Sequence, residues 1–170
     1  ILTSLNGAVI TLEDGFEYAA PAIFTAVTPD NGQTGTTVII TGTDLLQGGP
    51  NITNVTLNDI AATIIKHNDT YIEVESARGT IAATGDIVII ADTGAFATGT
   101  NLFTYLNEGN ITAVTPSSGQ LNTIVTIEGT DLLGGGTDNV TVTLADVAVL
   151  SLTSQSDTEI VVVVNSSGAT

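Results

Sequence analysis

Thr25–Gly49 reads TAVTPDNGQTGTTVIITGTDLLQGG, and Thr112–Gly136 reads TAVTPSSGQLNTIVTIEGTDLLGGG. Seventeen of these 25 positions are identical at an offset of 87 residues. Self-similarity at one fixed spacing marks tandem structural units. The same offset lays Ile1–Tyr18, ending in FEY, onto Val88–Tyr105, ending in FTY. Residues 1–18 therefore read as the closing strands of one repeat. The second repeat reaches Thr170 before a copy of those strands.

The 170 residues accommodate two small units, each long enough to bury a modest core without staples. Cysteine is absent, so disulfides and thiolate metal sites are excluded and redox compartment is not legible. Methionine is absent too, position 1 included, which reads as a processed product or a partial sequence. No signal-peptide pattern is present. No run of about 18 apolar residues exists, so membrane insertion is not expected. Net charge is −16, with Lys66 and Arg78 the only fixed cations. Binding nucleic acid by phosphate neutralisation is therefore not expected. The acidity itself reads as solubility.

Val, Ile and Thr dominate, and helical periodicity is hard to find. Thr37–Thr41 and Ile124–Glu128 read as short strands, each closed by a GTD turn at Gly42–Asp44 and Gly129–Asp131. Asn54–Leu57 and Val140–Leu144 supply the next strand. Tyr71–Glu75 alternates, with Ile72 and Val74 on one face and Glu73 and Glu75 on the other. Asp86–Ala91 is continuously apolar from Ile87 onward, which predicts a central strand. Phe96–Tyr105 supplies the last strand. Gly48-Gly49 and Gly134–Gly136 read as hairpin turns, since no Lys-Ser or Lys-Thr follows to make a phosphate loop. Roughly seven strands per unit predict immunoglobulin-like sandwiches without the Cys…Trp…Cys set of antibody domains.

The order of motifs is apolar-x-x-V-T-P, then S/D-x-G-Q, then T-x-V-x-I-x-G-T-D-L, then V-T-L, then F-x-Y. It resembles the IPT/TIG domain, an immunoglobulin-like fold of plexins, of bacterial and protist surface proteins and of some transcription factors. The resemblance covers nearly the whole chain and implies fold rather than chemistry. The DNA-contacting members use basic loops, which are absent here. The fold expected is all-β: residues 1–18 as a donor-strand segment, 19–106 as a first sandwich, and 107–170 as a second sandwich without its last strands.

Catalytic constellations are missing. His67, in KHNDT, is the single histidine and reads as a loop residue. Glu73 and Glu75 read as a solvated face, and the pair Glu13–Asp14 offers no apolar pocket to poise a carboxyl. Asp44 and Asp131 recur at one point of each repeat. They are weak calcium candidates, with a backbone-bonding Asx turn as the commoner role. No enzyme activity, metal or cofactor is expected. Six of twelve asparagines open N-x-S/T sequons, namely Asn51, Asn54, Asn68, Asn110, Asn139 and Asn165. Chance in so Thr-rich a chain gives about three. N-linked glycans at several of them, and O-linked glycans on exposed Thr, are expected after passage through a secretory pathway.

An incomplete sandwich exposes core and unpaired edges, which invite another strand. Ala19–Ala22 reaches only about 15 Å, too short to fold residues 1–18 back past the first sandwich. The expectation is therefore an extracellular homopolymer assembled head to tail by β-strand complementation. Its interface candidates are Ile1, Leu2, Val9, Ile10, Leu12, Phe16 and Tyr18. Val161 and Val163 join them, standing where the first repeat has Glu73 and Glu75. The alternative is a fragment of a long tandem IPT/TIG adhesin or receptor stalk at the cell surface.

Overall fold

The computed structural model describes residues 1–79, 82–136 and 140–166. Among the described residues every regular element is a strand. The chain opens with a hairpin of β1 (Leu2–Thr3) and β2 (Val9–Ile10). The first sandwich follows: β3 (Ile23–Thr28), β4 (Asn31–Gly32), β5 (Thr37–Thr43), β6 (Ile52–Leu57), β7 (Ile60–Ala61), β8 (Thr63–Asn68), β9 (Tyr71–Glu75), β10 (Ala83–Ala91) and β11 (Phe96–Tyr105). The second contains β12 (Asn110–Thr115), β13 (Ile124–Thr130), β14 (Thr143–Leu144), β15 (Val147–Ala148), β16 (Ser151–Gln155) and β17 (Glu159–Val163).

In the first domain one sheet has the order β3-β5-β9-β8, and it faces a second of order β4-β11-β10-β6-β7. Alternation drives this packing. Val38 and Ile40 of β5, Ile72 and Val74 of β9, Val55 and Leu57 of β6, and Ile87 and Ile89 of β10 point inward. Phe103 and Tyr105 close the core as a T-shaped pair, with ring centroids 5.2 Å apart. The apolar run in β10 lies between β11 and β6, the central place its composition predicts.

The second domain repeats the first sheet strand for strand, as β12-β13-β17-β16. Its facing sheet is reduced, among the described residues, to the short two-stranded ribbon β14-β15. The buried core shrinks accordingly, from twelve apolar residues to Val125, Ile127, Ile160 and Val162.

Local readings change in four places. Gly42 and Thr43 continue β5 opposite Phe24 and Ile23, and the turn starts at Asp44, whose φ is 55°. Gly48-Gly49 leads from β5 in one sheet to β6 in the other, so it is an inter-sheet connection and no hairpin. Gly134–Gly136 follows β13 at the corresponding point. The Val140–Leu144 strand is realised only at Thr143–Leu144, because no neighbour corresponding to β10 is there to pair with it. His67 is in strand β8, where its Nε2 accepts the Ile52 backbone N–H at 3.3 Å and satisfies a buried strand end.

Candidate functional site

The β1-β2 hairpin reproduces the tip of β10-β11 in detail. Leu2 pairs with Ile10 and Thr3 with Val9, as Ile89 pairs with Ala97 and Ile90 with Phe96. Ser4 N–H donates to Ala8 O at 2.8 Å, and Ala91 N–H to Ala95 O at 2.9 Å. Gly7 and Gly94 occupy the turn at φ 87° and 85°, a conformation open to glycine at little cost. Asp14 and Asn101 both have φ 53°. Phe16 and Tyr18 form a T-shaped pair with centroids 5.0 Å apart, matching Phe103 and Tyr105. The surroundings are opposite. Phe103 and Tyr105 are 0% and 1% exposed, and Phe16 and Tyr18 are 77% and 90% exposed. Ile1, Leu2, Leu5, Val9, Ile10 and Leu12 are exposed as well. Of the closing strands expected over residues 1–18, only Leu2–Thr3 and Val9–Ile10 are paired.

The second domain has an opening of its own. A cleft opens beside β14, lined in the second domain by Ile127, Leu132, Val140, Val142, Leu144 and Ile160, and bordered at the joint by Gln33–Thr36 of the first. In the first domain five of these repeat positions, Ile40, Leu45, Val55, Leu57 and Ile72, share a core with Ile87, Ile89, Phe103 and Tyr105. The structure keeps Val161 and Val163 away from this cleft. They are half-buried, and on β17 they alternate with the core residues Ile160 and Val162, so they belong to the outer face. Exposed Ile124 pairs with Val163 there. The corresponding face of the first domain carries charge: Lys66 Nζ lies 2.8 Å from Glu73, which also accepts the Tyr71 hydroxyl. Glu73 is thus an ion-pair member rather than a free solvated carboxylate. The hydrogen bonds from Lys66 and Tyr71 hold its pKa below the usual value.

The two domains meet through side chains. Gln33 Oε1 accepts the Gly109 N–H at 2.6 Å, and its Nε2 donates to the Asp131 carbonyl at 3.4 Å. Thr34 donates twice to the Glu108 carboxylate, from Oγ1 at 2.6 Å and from N at 3.2 Å. The Thr34 hydroxyl, opposed by a burial penalty and helped by the Thr34 backbone N–H and the Arg78 charge, holds the Glu108 pKa below the ordinary range. Gln33 closes the S/D-x-G-Q motif, but nothing in the sequence marked it or Glu108 as a joint residue. Their partners lie 74 to 98 residues away.

Asp44 and Asp131 both sit at positive φ, and their carbonyls accept turn N–H groups from Gln47 and Gly134. The carboxylates that cap these turns belong to Asp69 and Asp157, bonded to the N–H of Leu46 and Leu133. Asp44, Asp69 and Glu17 border one cleft, yet no three acidic or histidine side chains gather closely enough for a metal among the described residues. Of the sequons, Asn51, Asn68 and Asn110 are exposed, and Asn54 and Asn165 are half-buried. Asn68 Oδ1 is occupied by Thr70. Asn139 lies outside the described residues.

No curated protein matches the chain in sequence. Among solved structures, a plexin A4 extracellular region with domains 1 to 10 overlays with TM-score 0.60 at 19% identity, covering 85% of this chain and 13% of that one. A second plexin A4 extracellular structure gives TM-score 0.56 at 20% identity, covering 98% and 17%. The surface glycan-binding protein PbSGBP-B from Prevotella bryantii overlays less well, with TM-score 0.42 at 13% identity, covering 88% and 38%. The chain thus spans under a fifth of the length of the plexin chains it matches. At these identities the overlays bear on fold alone. The IPT/TIG domain model matches residues 22–105 and again 110–169. The chain belongs to the IPT/TIG family, as two tandem immunoglobulin-like sandwiches.

Proposed function

We propose that the chain is a non-enzymatic structural segment of an extracellular or cell-surface stalk, in which IPT/TIG sandwiches stacked end to end set distance and present loops. The observation that carries this reading is the joint. Gln33, Thr34 and Glu108 tie a four-residue connection to both domains, which restricts hinge motion and suits a spacer. The tandem arrangement within a plexin extracellular region is consistent with it. Three exposed sequons are accessible to N-glycosylation. The net charge of −16 disfavours nucleic acid as a partner. The test is the intact mass of the native polypeptide carrying this sequence. One long chain with further repeats upholds the stalk. A discrete protomer near 17.2 kDa plus glycans overturns it.

A second reading has its own observation, the exposed hairpin that copies β10-β11. It is a filament of discrete protomers, joined head to tail by strand complementation. The same mass measurement chooses between the two. Glycosidase treatment of the native material, read as loss of mass, tests glycan occupancy in either case.

A further inference from the structure

We propose that the open cleft of the second domain binds the Ile1–Tyr18 hairpin of a second copy of this chain, in the register by which β10 and β11 complete the first domain. The inference deepens the filament reading by naming its contact surface. The argument is one of equivalence between two sandwiches of one sequence. In the first domain β10 pairs with β6 as Val88 with Thr56, Ile89 with Val55 and Ile90 with Asn54. At the repeat offset these become Ile1 with Thr143, Leu2 with Val142 and Thr3 with Thr141. β11 pairs in parallel with β4, as Thr104 with Asn31 and Tyr105 with Gly32. Those pairs become Glu17 with Ser118 and Tyr18 with Gly119. Leu2 and Phe16 then fill the space that Ile89 and Phe103 fill in the first core.

The hairpin is already shaped for this. Its turn, its left-handed residue Asp14 and its ring pair match those of the docked hairpin. Little ordering remains to oppose binding, which favours affinity. The receiving ribbon is in place too, since Thr143 pairs with Ala148 and Leu144 with Val147, as Thr56 pairs with Ala61 and Leu57 with Ile60. A copy cannot fill its own cleft. The four residues Ala19–Ala22 span only about 15 Å when extended, and the first sandwich stands between. The contact is heterologous, so repetition extends a chain of copies unless rotation closes it.

The absence of cysteine makes the register directly readable. An isotope-labelled Thr3→Cys chain is mixed with unlabelled Thr141→Cys and oxidised. Both positions correspond to half-buried residues, Ile90 and Asn54, outside the first core. Directly opposed strand residues fall within disulfide range, and a partner two residues away does not. The expected result is about tenfold more labelled–unlabelled disulfide than with Thr143→Cys, given that geometric limit. Phe16→Ala, altering a side chain exposed in the single copy, leaves monomer unfolding unchanged. It weakens association on the order of 100-fold, the usual consequence of truncating a buried Phe. Association with equal cross-linking at positions 141 and 143 overturns the cleft assignment and leaves the filament reading standing. Copies that stay monomeric at every concentration overturn both.

Discussion

Urea applied to Ile1–Thr170, dilute enough that copies stay apart, should unfold the two sandwiches in separate steps, the second domain first. The magnitude comes from the cores. Ile87, Ile89, Phe103 and Tyr105 supply four fully buried side chains to the first domain, and no described residue does the same for the second. At about 1.5–3 kcal/mol for each such side chain, the difference is about 6–12 kcal/mol. Marginal domains have total stabilities of about 5–15 kcal/mol. The second sandwich alone is therefore near zero stability, and the first is ordinary. The chain carries its own probes, because all four Phe and three Tyr precede residue 106. Tyrosine fluorescence follows Tyr71 and Tyr105 of the first domain, and far-UV circular dichroism follows both. The dichroism should fall at low urea while the fluorescence holds, and the early step should vanish as concentration rises and clefts fill. One transition, coincident by both probes under dilute conditions, would refute the reasoning.

Ala145 has φ 48° in the turn between β14 and β15, where the first domain has Asn58 at the same angle. Ala145→Asn should relieve about 1 kcal/mol of left-handed strain, read as a higher urea midpoint for the early step only. His67→Leu removes the acceptor of the Ile52 N–H and should cost the first domain about 1–3 kcal/mol, measured on the fluorescence transition. Glu108 titrates below its unfolded value of about 4.3 because Thr34 bonds the charged form. Its stabilisation of the joint is complete above that pH and lost as pH falls through the lowered value. Small-angle scattering should show the interdomain distribution broadening as pH falls through the lowered Glu108 value. Glu108→Gln should show the same breadth at every pH, and an acid step persisting in that variant assigns it to another group.

Period, residue type and turn chemistry are local quantities, so the sequence by itself determined the two-domain division, most strands and the correspondence of residues 1–18 with Val88–Tyr105. It carried the family as well, because motif order survives without knowledge of contacts. Alternation along β17 showed that Val161 and Val163 share a face, but only the sheet order decided that this face turns away from the cleft. His67 looked like a loop residue because KHNDT ends in a turn, and only the packing of β8 near β6 turned its imidazole into an acceptor. The glycines after β5 announced a turn, yet whether it closed a hairpin or crossed between sheets depended on strands far along the chain. The short link at Leu106–Gly109 was legible, but the bonds across the joint were not, for the same reason: Gln33 meets Asp131 across 98 residues. Contacts of that separation leave no periodic trace, since each is set by the whole intervening fold rather than by the spacing of neighbours.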